Sequence, residues 1–545
     1  MRWYRAIALD LDGTLTLSGP PEPALLAAID DIRHAGVRVI LVTGRILAEL
    51  QAEQPGVAEH FDVVVAENGA VLRTPTWSRR LAEPVDAALL AWLRDHGVAA
   101  RAGEVIIATD VRADHRALDA VETLHLEVQL VRNRSALMLL PGGVSKGTGL
   151  LAALHELGIS RHNTLAVGDA ENDHSMLAAA ELGVAVGNAV EAVRTAADLV
   201  LPAADGAGVL ELLRGPVVTG DHRAVSAHRR IVLGADADGT PVTLPAAQTN
   251  VLISGSSESG KSYLAGLIIE QLLALEYTML IIDPEGDHIC LGQLPGVLLL
   301  SGHGLPPPDT VAELYAQGVG AVILDLSGLG DERRSAYLGD LWPTVLAARA
   351  ESAVPHWIVV EEAQSVQVCR GAGGLTGTGW WGLCLVSYQP DVLPPDLHAA
   401  MEWQVSTGTP GGGAVLTTAD GRVRRFRMAP RWTRHVRHWH KYTDSPLPSP
   451  LRFTFTRRGR PISAPVGTLR EFVAALDRAP ATVIASHARR GDMSRWLREQ
   501  YRDHVAAGLV ATAERDLFGH GDPERTRRQI GEILRLRYLT GLPAA

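Results

Sequence analysis

The stretch "ALDLDGTLT", residues 8–16, ends an apolar run in two aspartates, Asp10 and Asp12, followed at once by Gly13 and Thr14. A glycine-containing turn at a strand end can bring both carboxylates into one pocket. An Asp-Gly turn closing a buried strand accounts for Asp12 and Gly13, but not for a charged Asp10 at the end of "IAL". Working outward, short apolar runs recur through residue 214 ("VRVILVTG", "DVVVAENGA", "TLAVGD", "GVAVGN"), separated by helical patterns at 23–35 and 147–157. That alternation predicts an α/β unit around a mostly parallel sheet, with chemistry at the carboxyl ends of its strands. Between "VTGR" and "GGVSK", residues 72–142 form a candidate small α+β unit. It starts at the turn-rich "RTPTWSRR".

The pieces that follow Asp10 complete a chemical set. "LVTGR" places Thr43 after a second buried strand, Lys146 follows a Gly-Gly turn at a helix start, and "VGDAEND" places Asp169 and Asp173 after a third. A nucleophilic carboxylate, a hydroxyl, a lysine and an acidic pair, each after its own strand, are the tools of phosphoryl transfer through an aspartyl phosphate. In order and residue type they resemble the haloacid dehalogenase superfamily. The "ENGA" stretch at 67–70 and the position of the inserted unit are similar to its Cof-like phosphatases. The resemblance implies a Rossmann-like domain over 1–214 with a small α+β cap at 72–142. Asp10 would attack phosphorus, while Asp12 would protonate the leaving oxygen and then activate water. Thr43 and Lys146 would hold the phosphoryl group. Mg²⁺ would be held by Asp10, the backbone carbonyl of Asp12 and Asp169, with Asp173 beside it. A short cap implies a small substrate, such as a sugar phosphate or phosphoglycolate.

A second phosphate signature stands at 255–262. Gly255, Ser256, Ser257, Glu258, Ser259, Gly260, Lys261 and Ser262 follow the apolar strand "TNVLIS" and open the apolar helix "YLAGLIIEQLL". In this context backbone N–H groups cradle the phosphates of ATP, Lys261 reaches the β and γ phosphates, and Ser262 ligates Mg²⁺. "WIVVEEAQ" ends a further strand in Glu361, a candidate Mg²⁺ ligand, and Glu362, a candidate base for the attacking water. Gln389 in "SYQP" is placed to sense the γ phosphate. With "IIDPEGDH" and "ILDLSGL", these features resemble the HerA/FtsK-type P-loop ATPases, which implies a second α/β domain, a homo-hexameric ring and DNA as a partner. Glu361 stands where that branch usually has Asp, and Gln364 where it often has His. Arg422, Arg424, Arg425 and Arg427 are arginine-finger candidates, with a plain surface stripe as the alternative.

Between the two units, 215–245 reads as a short β connector, and 246–445 as the ATPase. The Pro-rich 446–465 reads as a linker, and 466–545, with its helical periodicity, as a small all-α accessory domain. The whole chain has 545 residues and a formal charge of -10, yet 421–545 carries 25 Arg or Lys against 11 Asp or Glu. Such asymmetry fits either an anionic polymer partner or a basic tail docked on its own acidic body. The cluster "RHVRHWHKY" at 434–442 interleaves basic and aromatic residues, compatible with nucleic acid or with a charged rim. Among 51 basic residues only Lys146, Lys261 and Lys441 are lysines. Two of the three fall on the two phosphate sites, where a compact point charge suits better than a planar fork. No apolar run reaches the ~20 residues of a membrane span, and the amino-terminal stretch meets Asp10 early, so a cytoplasmic protein without a membrane partner is expected. Cys290, Cys369 and Cys384 are too few for a disulfide framework.

Overall fold

A computed structural model describes residues 3–256, 259–301, 304–317, 319–366, 381–409, 413–433, 447, 449–457, 459–501 and 504–539. Ser257 and Glu258 of the phosphate loop, Cys369, Lys441 and the 434–442 cluster lie outside the described residues.

The first sheet has eight strands in the order Leu199–Val200, Leu182–Ala185, Thr164–Gly168, Ala6–Asp10, Arg38–Val42, Val63–Ala66, Val71–Arg73, Ser78–Arg80. The first six run parallel and the last two antiparallel. Ala6–Asp10 is buried at every position, as expected of a central strand covered on both faces. "RTPTWSRR", read from sequence as the break before the cap, is instead a hairpin that extends this sheet. Thr74 N–H donates to the Trp77 carbonyl at 2.9 Å, so the polar turn joins two strands of one sheet. The inserted unit beyond it is a four-stranded antiparallel sheet (Arg101–Ala102, Ile107–Asp110, Ala136–Pro141, Val128–Asn133). Its helices Ala87–Asp95 and Asp114–Leu124 share a core of Leu89, Leu93, Leu137 and Leu139.

The second sheet has eleven strands. Its parallel part runs Trp403–Thr409, Asn250–Ser254, Leu383–Ser387, Trp357–Val360, Met279–Asp283, Ala321–Asp325, Val297–Ser301. Helix Lys261–Ala274 is apolar almost all round and correspondingly buried. The stretch read as a connector supplies the hairpin Arg230–Ala235 and Pro241–Pro245. It is part of this sheet, pairing through Gly234 and Ala235 with Met428 and Arg427. Helices from Leu469–Arg478 to Pro523–Leu534 enclose a separate core. Phe453 and Phe455, from the stretch read as a linker, are buried in that core against Phe472, because two aromatic rings so close in sequence find apolar cover there.

The two large sheets meet through the amino ends of their strands. His162 and Asn163 precede one strand of the first sheet and Glu181 another, while Tyr277 and His356 precede strands of the second. His162 Nδ1 lies 2.7 Å from Glu181 and its Nε2 2.8 Å from the Leu275 carbonyl. Tyr277 donates to Glu181 at 2.8 Å, and its ring stacks on His162 with centroids 3.7 Å apart. Asn163 pairs with His356, and Arg5 donates to the Ala350 carbonyl. One apolar core runs continuously through this junction. Among the described residues, no helix is long and apolar enough to cross a membrane.

Candidate active sites

Both phosphate sites lie at carboxyl ends of strands, remote from that junction. In the first, Asp10 closes the central strand, and Gly13, at φ 94°, turns the chain back over it. Helix Lys146–Leu157 starts with a capping box: Ser145 Oγ accepts from Thr148 N–H, and Thr148 Oγ1 accepts from Ser145 N–H. This cap fixes Lys146 at the first helical position, with Nζ 2.5 Å from Asp10 Oδ1 and 2.5 Å from Asp173 Oδ1. Asp173 Oδ2 in turn accepts from the backbone N–H groups of Asp169 and Ala170, both at 2.9 Å. Thr14 donates to Asp169 at 3.2 Å. Burial raises Asp10 well above the usual carboxylate range, reinforced by Asp173 and opposed by Lys146. Burial pulls on Lys146 in the opposite sense, but its two carboxylate partners hold it above an ordinary lysine.

Ligand atoms of Asp10, Asp169 and Asp173 lie within 4.8 Å of one another. Three converging hard oxygen donors fit a divalent cation such as Mg²⁺. Asp12 stands outside this group. Arg45 holds its carboxylate from Nε at 2.9 Å and from its terminal nitrogen at 2.6 Å, and reaches Glu53 with the other arm. Thr43 is fully buried, and its hydroxyl accepts from Arg45 N–H. The structure therefore brings Asp10, Thr43, Lys146, Asp169 and Asp173 to one end of the sheet, and sets Asp12 beside them in an arginine clamp.

Two residues here escape sequence reasoning. Glu67, fully buried in "ENGA", accepts from the N–H groups of Glu104, Val105 and Ile106 and so ties the core to the inserted unit. Arg134, at the tip of that unit's hairpin, pairs with Asp169. Only the quoted "ENGA" offered a signal for the first, and nothing local marked the second.

In the second site Gly260, at φ 97°, delivers the chain into the helix that begins at Lys261. Lys261 Nζ donates to the Ser256 carbonyl at 3.0 Å, folded back on its own loop. Ser262 Oγ donates to Asp287 at 2.7 Å and reaches Glu361 at 3.5 Å. Asp287 was not among the residues picked from sequence. It is placed by Asp283, whose carboxylate accepts from the N–H groups of Gly286, Asp287 and His288. Glu361 Oε1 lies 2.7 Å from His288 Nε2. Burial raises Glu361 against the pull of His288, and raises Asp283 to about 7. Glu362, at φ 49°, accepts from Gln364, whose carbonyl oxygen accepts from Ser387; Ser387 Oγ also accepts from Gln389 N–H. The Gln389 side chain is exposed beside this chain of contacts. Of the finger candidates, Arg422 pairs with Asp420 and Arg424 with Asp236 on the sheet itself, while Arg425 and Arg427 are exposed.

Comparison with known proteins divides the chain along the same lines. The haloacid dehalogenase-like hydrolase family matches residues 7–97 and 117–213. The central domain of helicase HerA matches residues 231–319, starting in the hairpin at the sheet edge. A phosphoglycolate phosphatase of Methanothermobacter thermautotrophicus is 35% identical over 223 residues, which are 38% of this chain and 97% of that enzyme. One from Archaeoglobus fulgidus is 34% identical over 224 residues, 38% of this chain and 96% of its own. A solved haloacid dehalogenase-like hydrolase from Bacteroides thetaiotaomicron is 22% identical, covering 39% of this chain and 98% of its own, with a TM-score of 0.34.

Proposed function

Because the chain belongs to the haloacid dehalogenase-like hydrolases, we propose that residues 1–214, with the unit inserted after strand Ser78–Arg80 as their cap, hydrolyse a small phosphorylated metabolite of the sugar phosphate or phosphoglycolate type. The observation that carries this reading is Lys146 bridging Asp10 and Asp173 at 2.5 Å each. The Asp10 carboxylate attacks phosphorus, and the bond to the leaving oxygen breaks as Asp12 gives that oxygen its proton. Asp12 then takes a proton from water, whose oxygen attacks phosphorus. The acyl phosphate bond breaks, freeing phosphate and Asp10. Arg45 keeps Asp12 in place through both transfers. Thr43 donates to a phosphoryl oxygen, and Lys146 offsets the charge that gathers on Asp10 and the phosphate. Asp10, the Asp12 carbonyl and Asp169, with Asp173 beside them, would hold Mg²⁺, which would supply further charge neutralisation. A panel of small phosphoesters tests this: phosphate release is expected from wild type and abolished in Asp10→Asn, and release that survives the substitution would sink the assignment.

A second reading rests on the HerA match and on Ser262, Asp287 and Glu361 converging at the phosphate loop. In it, residues 246–445, joined through 215–245, bind and hydrolyse ATP. Gly255 to Ser262 would cradle the phosphates, Ser262 and Glu361 would hold Mg²⁺, Glu362 would polarise water and Gln389 would read the γ phosphate. A homo-hexamer acting on DNA, with the phosphatase as effector and 466–545 as an all-α accessory domain, is the extended form of this reading in a cytoplasmic protein. ATP turnover should vanish in Lys261→Ala. Turnover indifferent to DNA, or a strict monomer by mass with ATP present, argues against a translocating ring.

A further inference from the structure

Arg134 occupies the turn between Val128–Asn133 and Ala136–Pro141, at φ 52°, so the cap's hairpin is bent to point one side chain away from its own sheet. The guanidinium crosses to the core and pairs with Asp169. Its side chain remains 47% exposed, while the carboxylate it meets is 0% exposed. A Cβ on Gly13, whose φ is 94°, would meet both this guanidinium and the Asp169 carboxylate, so the pair packs directly on the turn after Asp10 and Asp12. The other cations of the site are engaged elsewhere: Lys146 lies between Asp10 and Asp173, and Arg45 between Asp12 and Glu53. Nearby cap arginines are also committed, Arg101 to Glu49 and Arg132 to Asp114.

Asp169 is also one of the three carboxylates suited to a divalent cation, and one carboxylate cannot fully satisfy both partners. A cation bound there competes with the guanidinium and frees it on the cap side of the site. With the phosphoryl group held by Thr43 and Lys146 as proposed above, the alcohol half of an ester would face the cap. We propose that Arg134 is the specificity residue of this site, and that the preferred substrates are phosphomonoesters whose alcohol half bears a carboxylate. The planar fork of arginine matches a carboxylate through two parallel hydrogen bonds, a geometry that a neutral hydroxyl does not complete. This inference rests on the phosphatase reading above.

The experiment compares 2-phosphoglycolate with 2-hydroxyethyl phosphate, a matched pair differing in the carboxylate, on the full chain with Mg²⁺. Wild type is expected to prefer the carboxylate ester by about 10-fold or more in kcat/KM, and Arg134→Gln to erase most of that ratio through a raised KM for the carboxylate ester. A second readout needs no turnover: calorimetric binding of Mn²⁺ without substrate should tighten in Arg134→Gln, because the competitor for Asp169 is gone. Equal losses on both esters, an unchanged ratio, or weaker or unchanged Mn²⁺ binding each overturn the proposal. Hydrolysis of both esters without preference leaves the phosphatase standing and removes only the role of Arg134. Failure of wild type on every phosphoester removes both.

Discussion

The two phosphate sites hold their lysines in opposite ways. Both lysines are buried, but Lys146 is clasped by two carboxylates, whereas Lys261, among the described residues, donates to a carbonyl of its own loop. The first site is complete before any phosphate arrives, and its lysine is part of what keeps two buried acids tolerable. The second keeps its lysine on a short tether that a phosphate can take over. One lysine is therefore tied to the buried acids of its fold, while the other, on the proposed reading, is held ready for a phosphate.

Truncating each lysine should give the largest difference between the two sites. Lys146→Ala strands Asp10 and Asp173 without their cation and should lower unfolding free energy by about 3–5 kcal/mol. Lys261→Ala removes one hydrogen bond and should stay within about 1 kcal/mol. Equal losses in denaturant melts would erase the distinction. A smaller effect, about 2 kcal/mol, is expected for Glu67→Ala, which leaves three N–H groups at the cap entrance without their acceptor. Calorimetric unfolding checks it, and a loss as large as that of Lys146→Ala would mean that the cap anchor, rather than the lysine, secures the first site.

The smallest effect is read from pH at the junction of the sheets. Burial raises Glu181 to about 8 from an ordinary 4.5, and lowers His162 to about 3 from 6.5. The folded protein thus binds the Glu181 proton more tightly than the unfolded chain does, so the stability it contributes is present below about 4.5 and is lost as pH rises toward 8. His162 acts oppositely, its contribution being lost as pH falls from 6.5 toward 3. Between 6.5 and 8 only the Glu181 effect remains. Stability should fall across that window by up to about 2 kcal/mol, and Glu181→Gln should flatten the fall. A slope that persists in the variant would assign it to other groups.

The gathering of the first site's residues was legible because Asp10, Thr43 and Asp169 each close or follow a buried strand, where local sequence carries both the apolar period and the polar residue. The loop around Lys261 was legible for the same reason. Arg134 was not, since a hairpin of the inserted unit carries it to Asp169, 35 positions away; Asp287 stands in the quoted "IIDPEGDH", and only the turn held by Asp283 shows that it meets Ser262. The hairpin at 230–245 and the rings of Phe453 and Phe455 were misplaced on similar grounds: a few β-branched or aromatic residues among turn formers look like connectors until a distant sheet edge or core receives them. The junction of His162, Glu181, Tyr277 and His356 depends on residues about one to two hundred positions apart, with ordinary sequence surroundings.

That junction has a consequence for traffic. With the strands meeting by their amino ends, Asp10 and Lys261 stand at carboxyl ends on either side of a junction of packed side chains. Any coupling between the halves would therefore have to pass through packed side chains such as His162, Glu181, Tyr277 and His356.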